Sequence, residues 1–265
     1  MDLQIGPAFA KAHNVDYQGI GQASYALAHL LASKQLHADV FVAVTPAPMR
    51  ILLKDGVVKQ AAPIASTQMA VVYSPKSAFA SKFHQAAHGE VPWYKVLEEP
   101  GLRFGRTDPA TDPQGRNVIF TMMLAETYYH QAGLAKKILG PLRNPAQIFA
   151  EPSLLARLES GQLDASIGYL SAIKSQHLPF IELPAAINLG DADTQAYEQV
   201  SFATADKSGK SVVAKPEPLV FYAAVLSNAA HPAPAAGFVD FLTGAQGQRL
   251  LRDAGYDPPS GGALQ

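Results

Sequence analysis

Short apolar runs rich in β-branched residues alternate along this chain with segments of helical period, and that alternation limits its fold more than any other feature. Strand then helix, repeated, points to layered α/β winding. The pattern predicts helix at Pro7–Ala12, an extended piece at Val15–Gln18, helix at Tyr25–Ser33 and a strand at Asp39–Val44. Thr67–Tyr73 (TQMAVVY) reads as a further strand ended by Ser74-Pro75, with a helix from Ser77 to about Ala87. Past Gly101, Leu102–Arg106 reads as extended, Thr107–Gly115 as a turn punctuated by Asp, Pro and Gly, and Arg116–Gln131 as a helix with apolar Ile119, Met122, Met123 and Leu124. Gln147–Phe149 is short and apolar, Glu151-Pro152 opens a helix to Glu159 that Gly161 closes, and Ala165–Ser171 returns as a strand. Asn188–Glu217 is the most polar part, with a hairpin-like Lys207-Ser208-Gly209-Lys210, and reads as a surface excursion. Leu219–Leu226 (LVFYAAVL) is then a strand, and Ala235–Leu242 an amphipathic helix.

A length of 265 residues suits one large α/β domain or two smaller lobes. The strands Thr67–Tyr73 and Leu219–Leu226 suit crossings between two lobes, with residues 1–70 and 220–265 as lobe 1 and residues 71–219 as lobe 2. An apolar fraction of 48% against 16% charged residues allows a buried core and excludes a disordered segment. Lys and Arg number 21 and Asp and Glu 22, so no basic footprint for nucleic acid or an anionic membrane surface exists. With no Cys, disulfides, thiolate nucleophiles and thiolate metal sites are excluded. No apolar run is long enough to span a bilayer, and Asp2 follows Met1 with no basic region or apolar region of a signal peptide.

Three helices are predicted to start at Gly- or Pro-broken turns directly after a strand: at Gly19–Ser24, at Asp112–Gly115 and at Ala150–Ser153. Each start leaves backbone N–H groups without intrahelical partners at the positive end of a helix dipole. Converging, three such ends make an oxyanion site without any basic side chain. Such starts also occur in any α/β protein for purely structural reasons, and at Asp112-Pro113 an N-cap followed by a first-turn proline is the plain structural reading. His84 and His88 are four apart on a helix, a spacing that presents two imidazoles to one metal, yet no third ligand is indicated and no metal site is assigned. Tyr128 and Tyr129 point roughly 100° apart on their helix, so one packs and the other lies at the surface. Ser208-Gly209-Lys210-Ser211 ends like a phosphate loop, but Thr204 stands where its first glycine belongs. No nucleophile elbow or readable triad is present, so no catalytic residue is assigned and the chain is not read as an enzyme.

Taken together, PAFAK at Pro7–Lys11, ADVFVAV at Ala38–Val44, FGRTDPATDPQGR at Phe104–Arg116, LAETYY at Leu124–Tyr129, LESGQLDASIGYLSA at Leu158–Ala172 and FVDFLTGAQGQRLLRDAGY at Phe238–Tyr256 resemble the molybdate/tungstate-binding proteins of ABC importers. The resemblance implies a type II periplasmic-binding-protein fold, two α/β lobes joined by crossing hinge strands. It implies a periplasmic, monomeric receptor that hands molybdate or tungstate to a membrane permease, with no cofactor. By motif position it implies Ser24 as a helix-start serine, Gln114 and Gly115 as backbone donors after the DP turn, Glu151 as a backbone donor at the next helix start, and Tyr169 as a hydroxyl donor. Asp112, Arg116 and Arg106 stand beside that set without an assigned contact. A fully deprotonated tetrahedral dianion needs donors only, which fits such a set.

The sequence departs from the family pattern in three places. The family's opening strand and A-G-S turn precede the PAF helix, whereas this sequence starts after them at Met1-Asp2-Leu3, so one serine donor is expected to be missing. The branch that wraps its anion six-coordinate has a carboxylate just before the cleft tyrosine, and here Gly168 stands there, which implies tetrahedral recognition. The family's GYR is Gly115-Arg116 without Tyr, so Arg116 is expected to neutralise Asp112 or Asp108 instead of touching the ligand. Competing readings are a binder of sulfate, phosphate or a small organic anion on the same fold, and a metal-binding or hydrolytic protein built around His84 and His88.

Overall fold

A computed structural model describes residues 4–21, 24–110, 112–192, 195–205 and 211–265. The turn expected at Lys207–Lys210, and Gln22 and Ala23 ahead of Ser24, lie outside the described residues. The chain forms two compact units, one running to Thr67 and resuming at Glu217 through Gln265, the other Gln68–Pro216.

The first unit opens with helices α1 (Ile5–His13) and α2 (Ser24–Ala32), strand β1 (Val40–Ala43), helix α3 (Pro46–Lys54) and strand β2 (Ala62–Ser66). Asn14, in the left-handed region at φ 51°, stops α1 and returns its N–H to the Ala10 carbonyl. Val15–Gln18, expected to be extended, belongs to no strand; its Tyr17 ring instead packs 5.7 Å from Phe238. The α3 helix escapes a reading from pattern because of Pro46 and Pro48. Prolines are tolerated in a first turn, where the missing N–H has no intrahelical partner to lose.

The second unit contains β3 (Met69–Tyr73), α4 (Ala80–Ala87), α5 (Trp93–Leu97), β4 (Phe104–Gly105), α6 (Pro113–Tyr128), α7 (Leu134–Leu139), α8 (Glu151–Ser160), β5 (Ala165–Tyr169), α9 (Leu170–Ser175), β6 (Phe180–Glu182) and α10 (Ala185–Asn188). A single 3-10 turn at Ala196–Gln199 and the strands β7 (Phe202–Ala205) and β8 (Ser211–Ala214) complete it. The first unit then resumes with β9 (Val220–Val225), α11 (Pro232–Thr243) and α12 (Ala245–Asp253).

In the first unit β9 lies between β1 and β2 and pairs with both antiparallel, Val40 opposite Val225 and Ala62 opposite Ala223. The register slips between Pro63 and Ala65, as expected where a proline lacks the N–H a ladder needs. Phe9 meets Phe238 and Phe241 at 5.0 and 5.5 Å, and these rings join Ile5, Ile64 and Leu242 in one buried cluster. The Thr67 N–H donates to the Leu219 carbonyl at 2.9 Å, tying the place where the chain leaves this unit to the place where it returns.

In the second unit the strand order is β4-β5-β3-β6. Only the β4–β5 pair of this sheet is parallel; β3 is antiparallel to both β5 and β6. All five residues of β3 are buried, which its unbroken apolar run MAVVY requires of a central strand. The α6 helix buries residues all round, from Gln114 and Asn117 to Phe120, Met122 and Leu124, and is the spine of this unit. The strand expected to reach Ser171 ends at Tyr169, and α9 begins at Leu170, whose N–H bonds the Gln68 carbonyl at 2.8 Å. The polar excursion contains the antiparallel β7–β8 pair.

Candidate functional site

Residues 107–110 and Asp112 form a tight knot at the start of α6. Asp108 Oδ1 accepts the Ala110 N–H at 2.9 Å, and the Asp108 carbonyl accepts the Asp112 N–H at 2.8 Å. Asp112 is the N-cap of α6, its Oδ1 accepting the Gln114 N–H at 2.8 Å, with Pro113 in the first turn. Burial pushes the Asp112 carboxyl above its ordinary range, against the pull of that Gln114 bond. A Cβ on Gly115 would lie 2.4 Å from the Thr107 carbonyl oxygen, so this position admits no side chain while the knot stays closed.

Arg116 does not neutralise either aspartate. Its Nε donates to the Pro109 carbonyl at 2.8 Å and Nη2 to the Ala110 carbonyl at 3.3 Å, while Asp108 pairs with Arg143 at 3.2 Å. The planar guanidinium thus holds the backbone of the knot, because two carbonyls lie within its fork. Arg106 is fully buried and its Nη2 donates to the Pro141 and Leu142 carbonyls at 3.1 and 2.9 Å, its Nε to Gln147 Oε1 at 3.3 Å. Burial pulls its pKa down. The backbone of Arg106 also exchanges bonds with Gln147 and Phe149, so one residue seats the whole segment that leads into α8.

Gln114 and Tyr169 line one small pocket together with Gly168 and Ser166 of β5 and Leu154 of α8, the helix that Glu151 opens. Its volume is about 10 Å³, the room of a single water. No Lys or Arg lines it. The Tyr169 hydroxyl accepts from Asn117 Nδ2 at 3.2 Å. Asn117 was not singled out from sequence, although it stands three residues after Gln114 and so shares its helix face. Gln114 as a residue is 4% exposed. Its Nε2 stands 3.6 Å from where a Cβ on Gly168 would be.

Ser24 heads α2 in the first unit, half-buried. That unit holds a strand-to-helix start that the sequence did not disclose, β1 into α3 with Thr45 as N-cap. Glu217 faces this start. Burial raises its pKa, opposed by hydrogen bonding to Thr45 and the Ala47 N–H and by Arg50 at 3.9 Å. Nothing in the P-E-P sequence around it signals that burial.

His84 on α4 and His88 at its C-terminal cap pack with ring centroids 4.4 Å apart, and among the described residues no group of three or more His, Asp or Glu side chains is placed to hold a metal. Tyr129 is half-buried and its hydroxyl accepts from Trp93 Nε1 at 3.2 Å, whereas Tyr128 is exposed. No helix among the described residues is long and apolar enough to cross a membrane.

The profile of the family described as bacterial extracellular solute-binding protein matches residues 1–257. The molybdate/tungstate-binding protein WtpA of Thermococcus kodakarensis is 30% identical over 213 residues, covering 73% of this chain and 58% of that protein. An uncharacterized solute-binding protein of Petrotoga mobilis is 29% identical over 204 residues, 74% of this chain and 61% of its own. The chain therefore spans about three fifths of the length of these curated relatives. Among solved structures, the periplasmic molybdate-binding protein of Azotobacter vinelandii aligns with a TM-score of 0.67 at 17% identity, over 97% of this chain and 94% of that one. At that identity the likeness shows the fold, which is the type II periplasmic-binding fold that the sequence motifs implied. With the family profile covering nearly the whole chain, the protein belongs to the bacterial extracellular solute-binding proteins.

Proposed function

We propose that this solute-binding protein captures a tetrahedral oxyanion, molybdate or tungstate, in the periplasm and delivers it as a monomer to an ABC permease. The observation that carries this reading is the chemistry of the pocket in the second unit. Gln114 at the start of α6, Leu154 and Leu155 of α8 and Tyr169 line it together without a cationic side chain. The arginines of the same motif, Arg106 and Arg116, donate to backbone carbonyls outside that lining. Neutral donors and helix N-termini suit a dianion, because each hydrogen bond to a charged acceptor contributes about 1.5–3 kcal/mol. The names of relatives such as WtpA support the choice of anion. Ser24, Gln114, Gly115, Glu151 and Tyr169 are the proposed contacts, with closure of the two units on the ligand as the expected motion.

The test is calorimetric titration of anion-free protein with molybdate, tungstate, sulfate and phosphate, in parallel with Tyr169→Phe. Tight binding of the first two, weak sulfate and an impaired variant are expected. A folded sample that binds none of the four, or that prefers phosphate or sulfate, overturns the reading.

A further inference from the structure

Tyr169 closes β5, where its backbone pairs with Met69 of β3, and it lines the pocket that Gln114 and Gly168 also line. A phenol can serve either sense of hydrogen bond, since its oxygen accepts, its O–H donates, and the proton rotates to suit its surroundings. A neighbour on α6 fixes the sense. Asn117, three residues after Gln114, is 7% exposed and does not line the pocket; its Nδ2 donates to the Tyr169 phenol oxygen at 3.2 Å. An amide NH2 group only donates, so the phenol is the acceptor on that side and its own proton is directed away from Asn117. Donation to the oxygen also polarises the O–H, because hydrogen bonds in a chain strengthen one another. Val118, Ile119 and Phe120 follow Asn117 in α6 and are all buried, so an apolar side chain would suit this stretch without the cost of burying an amide.

We infer that Asn117 is a positioning residue of the oxyanion site: it holds the Tyr169 hydroxyl in the donor sense and acts on the ligand only through that phenol. A fully deprotonated dianion offers acceptors alone, so a hydroxyl already turned to donate meets it with less rotational freedom to lose. Tyr169 supplies the hydrogen bond and Asn117 gives it direction. This inference rests on the oxyanion reading above, with Tyr169 as a contact.

The experiment is a double-mutant cycle. Molybdate dissociation constants are measured by calorimetry for the wild type, Asn117→Leu, Tyr169→Phe and the double variant, with thermal midpoints to confirm that each is folded. Asn117→Ala, which removes the donor without adding bulk, repeats the cycle and decides it should the leucine variant not fold. Asn117→Leu is expected to raise the dissociation constant about 3- to 10-fold, and by no more than Tyr169→Phe does, because losing the direction of a bond costs no more than losing the bond. In the Tyr169→Phe background the same substitution is expected to change it by less than about 2-fold, because an amide that acts through the phenol has nothing left to act through. An equal loss in both backgrounds overturns the inference and makes Asn117 a residue of the fold alone. Wild-type affinity in the Asn117 variants also overturns it, and both results leave the oxyanion reading intact. A Tyr169→Phe variant that binds molybdate as the wild type does overturns it too, by removing the contact. A wild type that binds no oxyanion removes the functional reading and this inference with it.

Discussion

The Asp112 carboxylate holds the backbone N–H of Gln114 at 2.8 Å, so the amide that heads α6 serves the helix before it can serve any ligand. The helix start is capped as the Asp112-Pro113 pair leads one to expect, with one of its N-terminal amides satisfied by the cap.

Asp112→Ala should cost about 1 kcal/mol in urea denaturation, the usual loss for an N-cap, and Asp112→Asn less because its oxygen still accepts. Burial raises the folded pKa of Asp112 above its unfolded value. Between those values the native state holds more protons than the unfolded one, so this residue's contribution to stability falls as pH rises through that window. Asp112→Asn should remove that part of the pH slope.

Asp164 has the opposite sign. Burial alone would raise its pKa, but Arg103 outweighs it, donating from Nε at 2.9 Å, Nη2 at 2.8 Å and its backbone N–H at 2.8 Å, with the Ser77 hydroxyl at 2.8 Å; the net shift is downward. The stability it supplies is complete above the ordinary aspartate pKa and is lost as pH falls through the depressed folded value. Asp164→Asn should lower stability by about 2 kcal/mol at neutral pH, discounted for the solvent around Arg103, and flatten the acid limb of a midpoint-versus-pH curve.

Two glycines of the site should respond differently to alanine. Gly115→Ala drives a methyl to 2.4 Å from the Thr107 oxygen and should destabilise by about 1–3 kcal/mol or more as the knot opens. Gly168→Ala meets only the Gln114 carboxamide, at 3.6 Å, and should leave the thermal midpoint near the wild-type value.

Arg106→Met should lower stability by more than about 2 kcal/mol, because two backbone carbonyls and the Gln147 side chain lose charged donors inside the fold. Amide exchange should quicken first in residues 141–149, the segment its guanidinium and backbone hold ahead of α8.

Much of the second unit was legible because its signals are local. The Asp112-Pro113 cap, the Glu151-Pro152 start and the Gly161 stop, with φ 80°, depend on residues that touch within a turn or two, and they stand where expected. The β2 and β6 strands and the α12 helix carried no signal strong enough to stand out. The β2 strand contains Pro63 and is held by β9 on one side and by bonds from Ala61 to Leu264 and from Ser66 to Asp257 on the other. Those partners lie nearly two hundred residues away, beyond any periodicity.

Sequence alone determined the class of the chain: strand and helix in alternation, no thiol chemistry, no basic face, and a set of motifs sufficient to name a family. It also determined where helices start, since capping is a property of neighbouring residues. Only the tertiary structure decided which donors those starts leave available. Asp112 took one amide, and Arg106 and Arg116 turned to carbonyls. The reason is physical: whether a polar group is spent or spare depends on every group within about 3 Å of it, and packing of distant segments sets that neighbourhood.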